Sequence, residues 1–430
     1  MHDVVIVGAG MAGLTCARAL RAQGASCVVL EAGDAVGGRV RTDDVGGFRV
    51  DRGFQVLLTA YPTARRWLDY AGLGLGHFEP GALVATPDGE ARVSDPFRRP
   101  GRLLETWRAP VGAAGDKLRI AALRLAATAG GIDGVWTKGM APDGAMRTTA
   151  AELAARGFTP AMLERFLRPW LGGVFLERDL ATPAAMLFFV YRMFSQGYAA
   201  LPAGGMQRIP EQLAAGLGPG GVVLRARVAR TEPGAVELLD GQRVPARHIV
   251  VATDREEATR LVDEIGGAAW RGVINVQWAA PSSPLAGQPM LWLNGRGRGL
   301  INNLVVPSDV AAGYAPAGQA LVSATVLGDA PADDGELTRA LGLELAERFG
   351  QEVWTWRPLA VRRIRRALPV VSAPGTGREP REVRAGLWIC GDHRASASIE
   401  GAMASGEATA DTILARLGLG TGAGPRVAVG

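Results

Sequence analysis

A glycine-rich turn between two β-branched runs leaves the first forty residues of this chain few folds to choose from. Val4-Val5-Ile6-Val7 is a continuous apolar run, as expected of a strand buried on both faces of a parallel sheet. Gly8-Ala9-Gly10-Met11-Ala12-Gly13 follows, then a helical pattern through Leu14, Ala17 and Leu20 that Gly24 closes. Ser26-Cys27-Val28-Val29-Leu30 makes a second strand ending in Glu31. The spacing predicts a βαβ unit that holds a dinucleotide. Gly8 makes the tight turn, Gly10 lets backbone approach a pyrophosphate, and Gly13 lets the helix pack on the strand, with Ala12 in the same cradle. The helix start offers free N–H groups and a positive dipole end to phosphates. Glu31 is placed to accept hydrogen bonds from ribose hydroxyls.

Composition narrows the partners. At ~150 residues per domain, 430 residues suggest two to three domains or two interleaved ones. Such a chain buries a core that needs neither disulfides nor a structural metal. Of its 47 cationic side chains only Lys117 and Lys138 are lysines, which excludes a lysine-rich nucleic-acid tail and leaves few amines for catalysis. The three cysteines, Cys16, Cys27 and Cys390, are too far apart in sequence for a Cys-x-x-Cys redox pair or a zinc ribbon. Their apolar surroundings fit reduced thiols in a cytoplasm, and no leader is expected before Val4. The apolar stretch from Ala184 to Phe194 is interrupted by Tyr191 and Arg192 and is too short to span a bilayer. Between Arg98 and Arg124, seven cations face only Glu105 and Asp116. That stretch reads either as a solvated helix face or as an amphipathic surface making peripheral contact with anionic lipid.

After Glu31, Gly37-Gly38-Arg39-Val40-Arg41-Thr42 adds a second glycine pair followed by arginine. The run from Val4 to Thr42 resembles the amino-terminal signature of the flavin amine oxidase superfamily, which includes monoamine oxidases, protoporphyrinogen oxidases, phytoene desaturases and hydroxysqualene dehydroxylases. The resemblance implies that Gly37 and Gly38 bring backbone to the pyrophosphate of FAD and that Arg39 reaches its charge. It also implies that Asp51-Arg52-Gly53-Phe54-Gln55, after a hairpin centred on Gly46-Gly47, passes beside the isoalloxazine, so that Gly53, Phe54 and Gln55 line the flavin. The alternative there is an ordinary strand end with Phe54 in the core. Val228, on a strand expected over 227–231, matches a valine whose backbone pairs with adenine in the family. In Val250-Val251-Ala252-Thr253-Asp254, Asp254 replaces the family's glycine and leaves the local turn open.

Gly386-Leu387-Trp388-Ile389-Cys390-Gly391-Asp392, then Ser396 to Gly406 opening a helix, looks like the carboxy-terminal FAD signature of the same superfamily. By that likeness Asp392 bonds a ribityl hydroxyl, and the helix start near Ile399 points N–H groups at the flavin. His393 beside it reads as either a loop residue or a catalytic one. The resemblance covers essentially the whole chain. It implies an α/β fold with a Rossmann-type, glutathione-reductase-like FAD-binding domain from residues 1–60, 200–255 and 381–419. A mixed α+β substrate domain then comes from 61–199 and 256–380, with residues 420–430 a disordered tail.

The expected chemistry is hydride abstraction by non-covalent FAD from a small hydrophobic substrate, with oxygen or a quinone reoxidising the flavin. Isoprenoid or carotenoid desaturation or dehydroxylation stands first, porphyrinogen and amine oxidation after it. A non-redox isomerase and a flavin-binding scaffold are the rival classes. Many amine oxidases carry a lysine on the strand corresponding to Val273–Trp278; here Asn275 stands at the matching position, and an amide lacks the ammonium's charge. Asn275 and Tyr191 are the catalytic candidates, the latter from a set of aromatics (Phe188, Phe189, Tyr191, Phe194, Tyr198) that read either as pocket lining or as packed core.

Overall fold

The computed structural model describes residues 1–267 and 269–420; nearly all of the expected tail lies outside the described residues. Strand β1 (His2–Val7), helix α1 (Met11–Ala22) and strand β2 (Cys27–Leu30) form the predicted βαβ unit, with Val5 paired to Val28 on one side and to Ile249 on the other. Val4, Val5 and Ile6 are fully buried, which is why the run is continuous rather than alternating. An eight-stranded sheet grows from this unit. Strand Arg243–Val251 is its junction: its first half pairs antiparallel with Ala235–Leu238, and its last residues pair parallel with Leu387–Ile389. Every strand of this sheet falls within 1–60, 200–255 or 381–419.

A second sheet of seven strands comes wholly from 61–199 and 256–380. Its long strands Trp270–Ala280 and Arg357–Pro369 pair antiparallel, with register shifts after Arg271 and after Gln277 that bend the pair. The helices between residues 103 and 196 cover one end of it. Helix Ala184–Gln196 is buried along most of its length, and its Phe189 stacks on Trp136 and Tyr61 with centroids 4.9 and 6.0 Å apart. A π-helical turn, Leu163–Leu167, precedes helix Arg168–Phe175. Pro169 explains it: a proline has no N–H to donate to the residue four positions back, so the ladder widens before it.

The cap of helix Thr149–Ala155 is Thr148, whose hydroxyl accepts from Ala151 N, and the Glu152 carboxylate pairs with Arg147 and Arg156. Asp254, where the family has glycine, caps helix Arg255–Leu261 by accepting from Glu257 N at 2.8 Å. That is an ordinary aspartate function and it settles the turn.

The carboxy-terminal helix Ile399–Arg416 lies along α1, and the contact is close enough to exclude side chains at its centre. A Cβ added at Gly406 would stand 2.2 Å from the carbonyl oxygen of Ala12. Gly406→Ala therefore forces two helices apart where neither backbone can yield cheaply, and a loss of about 1–3 kcal/mol is expected. Chemical denaturation of the purified variant measures it; an unchanged midpoint would show that the helices have slack.

Candidate functional site

One continuous cavity of about 1490 Å³ runs from the Gly8–Gly13 turn into the second sheet and out between the covering helices. At its first end the glycine turn is built as the sequence requires. Gly10 caps α1 without a side-chain acceptor, so the first-turn amides stay available to an anion. A Cβ at Gly10 would meet nothing within 4 Å, whereas one at Gly13 would stand 2.0 Å from Gly8 O. The turn is thus open toward the cavity and closed toward the strand. Gly13 does not line the cavity; its part is the helix–strand contact.

The second glycine pair is stapled to the first. Gly37 N donates to Ala9 O at 2.8 Å, and the Gln207 side chain holds the same loop by donating to Val36 O at 2.7 Å. Glu31 accepts from Ala9 N and from Gly33 N, both at 2.7 Å. One lone pair on each carboxylate oxygen is so engaged, which fixes the side chain at the cavity wall with its remaining lone pairs for hydroxyl donors. Arg39 donates to Asp392 at 2.7 Å and to Ala367 O at 3.1 Å, which ties the amino-terminal loop to the carboxy-terminal motif. Gly391, Asp392, Ser398 and Ile399 close the same wall, with Ser398 capping its helix through Gly401 N.

Gly53, Phe54 and Gln55 also line the cavity. Phe54 is half-buried and meets Phe78 edge-on, while the Gln55 amide donates to Arg39 O at 2.8 Å. Val228 lines the cavity too, but its carbonyl accepts from Arg260 at 2.7 Å. Apart from Gly13, every expected cofactor-binding residue, Ala12 included, stands on this one wall. The wall fits a flavin dinucleotide: open glycine backbone and a helix start for phosphates, a carboxylate for a ribose, and a second helix start across from them.

The two catalytic candidates fare differently. Asn275 is fully buried, donates to Ser323 Oγ and Ala324 O at 3.0 Å, and accepts from Gln277 at 2.6 Å. Its amide is engaged inside the sheet and takes no part in the cavity wall, which removes it from the reacting region. Ser94, Arg362, Arg363 and Arg366 of this sheet line the cavity, as do Asn303 and Thr325, which are joined by a 3.3 Å hydrogen bond. No feature of the sequence singled out these last two. Tyr191 does line the cavity, edge-on to Trp170. Burial pushes its phenol well up, so it stays protonated and can donate but not act as a base. His393 sits behind Gly391, buried and off the cavity wall, and burial brings it down to about 4, so it is neutral.

A further residue, Asp51, was quoted in the sequence run without a role. Its buried carboxylate accepts from Thr42 Oγ1 at 2.5 Å, Met206 N at 3.1 Å and Tyr314 Oη at 2.7 Å, and its carbonyl accepts from Gln277 at 2.9 Å. It joins the strand leading to Gly53 to three distant segments.

A sequence profile described as flavin containing amine oxidoreductase matches residues 11–414. The chain belongs to the flavin-containing amine oxidoreductase family, and FAD is its cofactor. A stretch of 75 residues is 44% identical to an L-amino acid oxidase of Crotalus durissus cumanensis, covering 17% of this chain and 15% of that relative's length. Among solved structures, cyclohexylamine oxidase from Brevibacterium oxydans has a TM-score of 0.72 at 20% identity, covering 97% of this chain and 99% of its own. Putrescine oxidase bound to putrescine has a TM-score of 0.71 at 19% identity, over 96% and 99%. These likenesses establish the α/β fold. Among the described residues, the cavity wall carries no cysteine and no histidine.

Two outcomes follow from this geometry. Glu31→Ala removes a charged acceptor facing the cofactor and leaves Ala9 N and Gly33 N unpaired. FAD affinity, measured by fluorescence titration of the apoprotein, should fall by roughly ten- to a hundredfold. Asp51 is the acid whose titration marks the fold. Burial raises it to about 6 from 3.8, and its hydrogen bonds only partly oppose that. The folded state therefore binds the proton more tightly than the unfolded chain does, and stability is lost as pH rises from about 4 to about 6. Asp51→Asn keeps an acceptor for Thr42 and Met206 and can donate to Tyr314. Its unfolding free energy should lack that decline, which is on the order of 3 kcal/mol in the wild type. Parallel denaturation curves for both proteins across that range would exclude the assignment.

Proposed function

We propose that the protein is an FAD-dependent oxidoreductase that takes hydride from an elongated, largely apolar substrate, with isoprenoid desaturation or dehydroxylation as the preferred chemistry. The observation that carries this reading is the wall beyond the flavin motifs. Phe166, Trp170, Phe175, Met186, Val190 and Phe194 line it, and the cavity exceeds the ~300–1,000 Å³ of an ordinary small-molecule site. It has room for a dinucleotide and a second long molecule. The carboxylates on that part of the wall, Glu79 and Asp95, are engaged by Arg99 and Arg124 at 2.7 and 2.6 Å. Neither is free to hold a substrate ammonium. Lys117, the lysine on the wall, donates to the carbonyls of Trp107 and Ala109.

Bound in this cradle, FAD supplies the two-electron oxidation. The chain's own part is to hold the substrate among apolar side chains, exclude water, and offer Asn303, Thr325 and the Tyr191 hydroxyl as the polar groups that orient it. Amine oxidation is the second reading, favoured by the family itself and by the L-amino acid oxidases that parts of the chain resemble.

Anaerobic mixing of the holoprotein with a panel of isoprenoids, porphyrinogens and amines separates the readings. Bleaching of the flavin bands by an isoprenoid, with a product two hydrogens lighter, is the expected result. Bleaching by amines alone would move the protein to the second reading, and a product of unchanged mass would make it an isomerase.

A further inference from the structure

The other end of the cavity opens through a surface that the chemistry above does not use. Helix Leu103–Arg108 and helix Ala114–Thr128 flank it. Phe97, Leu103, Trp107 and Leu118 all line the cavity and are all exposed, so the opening itself is apolar. Outside it, Leu104 and Leu125 stand 58% and 67% exposed. Leu118, Ala122 and Leu125 fall at i, i+4 and i+7, one face of one helix turned to solvent. The pieces form one rim: the Lys117 ammonium bonds the Trp107 and Ala109 carbonyls across the two helices, and the Arg124 guanidinium lies 4.7 Å from the centre of the Phe97 ring.

Charge distinguishes this rim from an ordinary sticky patch. From Phe97 to Leu125 there are seven cations and two anions, and with Glu79 and Asp95, which pair with Arg99 and Arg124, the rim keeps an excess of three cations. Exposed leucines and a tryptophan among arginines match the composition of an element that lies in a lipid interface, with apolar tips among acyl chains and cations at anionic headgroups. No described helix is long and apolar enough to cross a membrane.

We propose that the Phe97–Leu125 rim docks on an anionic lipid bilayer with the cavity mouth turned toward it, so that an apolar substrate passes from bilayer to cavity without crossing water. The substrate's route rests on the function proposed above; the docking itself does not.

The test is flotation of the full-length holoprotein with phosphatidylcholine vesicles, with and without phosphatidylglycerol. The variants Leu104→Glu/Leu125→Glu and Arg102→Glu/Arg108→Glu change rim residues that do not line the cavity. The wild type should float with phosphatidylglycerol vesicles and much less with phosphatidylcholine alone. Each double variant should lose roughly tenfold or more in binding while keeping its flavin spectrum and its reduction by dithionite. A wild type that ignores anionic vesicles, or variants that bind as it does, would overturn the docking. So would light scattering that shows a dimer which the leucine variants dissociate, because the rim would then be a contact between two copies. Intact vesicle binding with no oxidation of any isoprenoid would defeat the substrate reading and leave the docking standing.

Discussion

Two helices that touch through backbone hold this site together. α1 begins at the glycine turn, the carboxy-terminal helix begins beside Asp392, and Gly406 lets the second approach the Ala12 carbonyl of the first. Residues nearly 400 positions apart thereby aim two helix starts into one cavity, and their dipoles add where a polyanionic cofactor would lie. The Arg39–Asp392 pair crosses the same gap. Because the Gly406–Ala12 contact has no room for an intervening side chain, the cradle's geometry is set by close packing and not by long, adjustable side chains.

Asp51 performs the corresponding task between the cradle and the second sheet. Its oxygens gather Thr42 from the amino-terminal hairpin, Met206 from the return segment, Tyr314 from the turn Ala312–Tyr314, and Gln277 from the other sheet. Two residues on, Gly53 enters the cavity wall. A buried, fully bonded carboxylate is a poor source of stability and a good source of uniqueness, since a shifted register would strand several donors at once. The cost shows in its raised titration, and what it fixes is the path of the chain past the flavin region.

These two arrangements also mark what sequence can and cannot disclose. The glycine turn, Glu31, the second glycine pair and Gly391-Asp392 are legible because each needs a fixed residue type at a fixed local spacing. The same holds for the buried run Val4–Val7 and for the hairpin at Gly46-Gly47. Asn275 was read by its position on a strand, and strand position alone does not say which way an amide is engaged; the register of Trp270–Ala280 against Ala320–Val326 turns it into the sheet. Asp51 depends on partners up to 263 residues away, so no window of sequence contains its role. Asn303 and Thr325 become visible only when strands Ile301–Val305 and Ala320–Val326 lie side by side.

The cavity is chemically graded from end to end. At the flavin motifs it is lined by backbone amides, Glu31 and Arg39, groups suited to a molecule that carries phosphates and hydroxyls. Past Gly53 and Phe54 the wall turns aromatic, and its acids Glu79 and Asp95 are paired with Arg99 and Arg124. A cationic substrate entering this region would lose its hydration and find those acids already paired, whereas an apolar one gains by every surface it covers. The gradient therefore assigns the two ends to different molecules before any reaction is considered. It also fits the proposed chemistry, in which hydride removal by a bound flavin would ask the protein for placement and dryness more than for an acid or base.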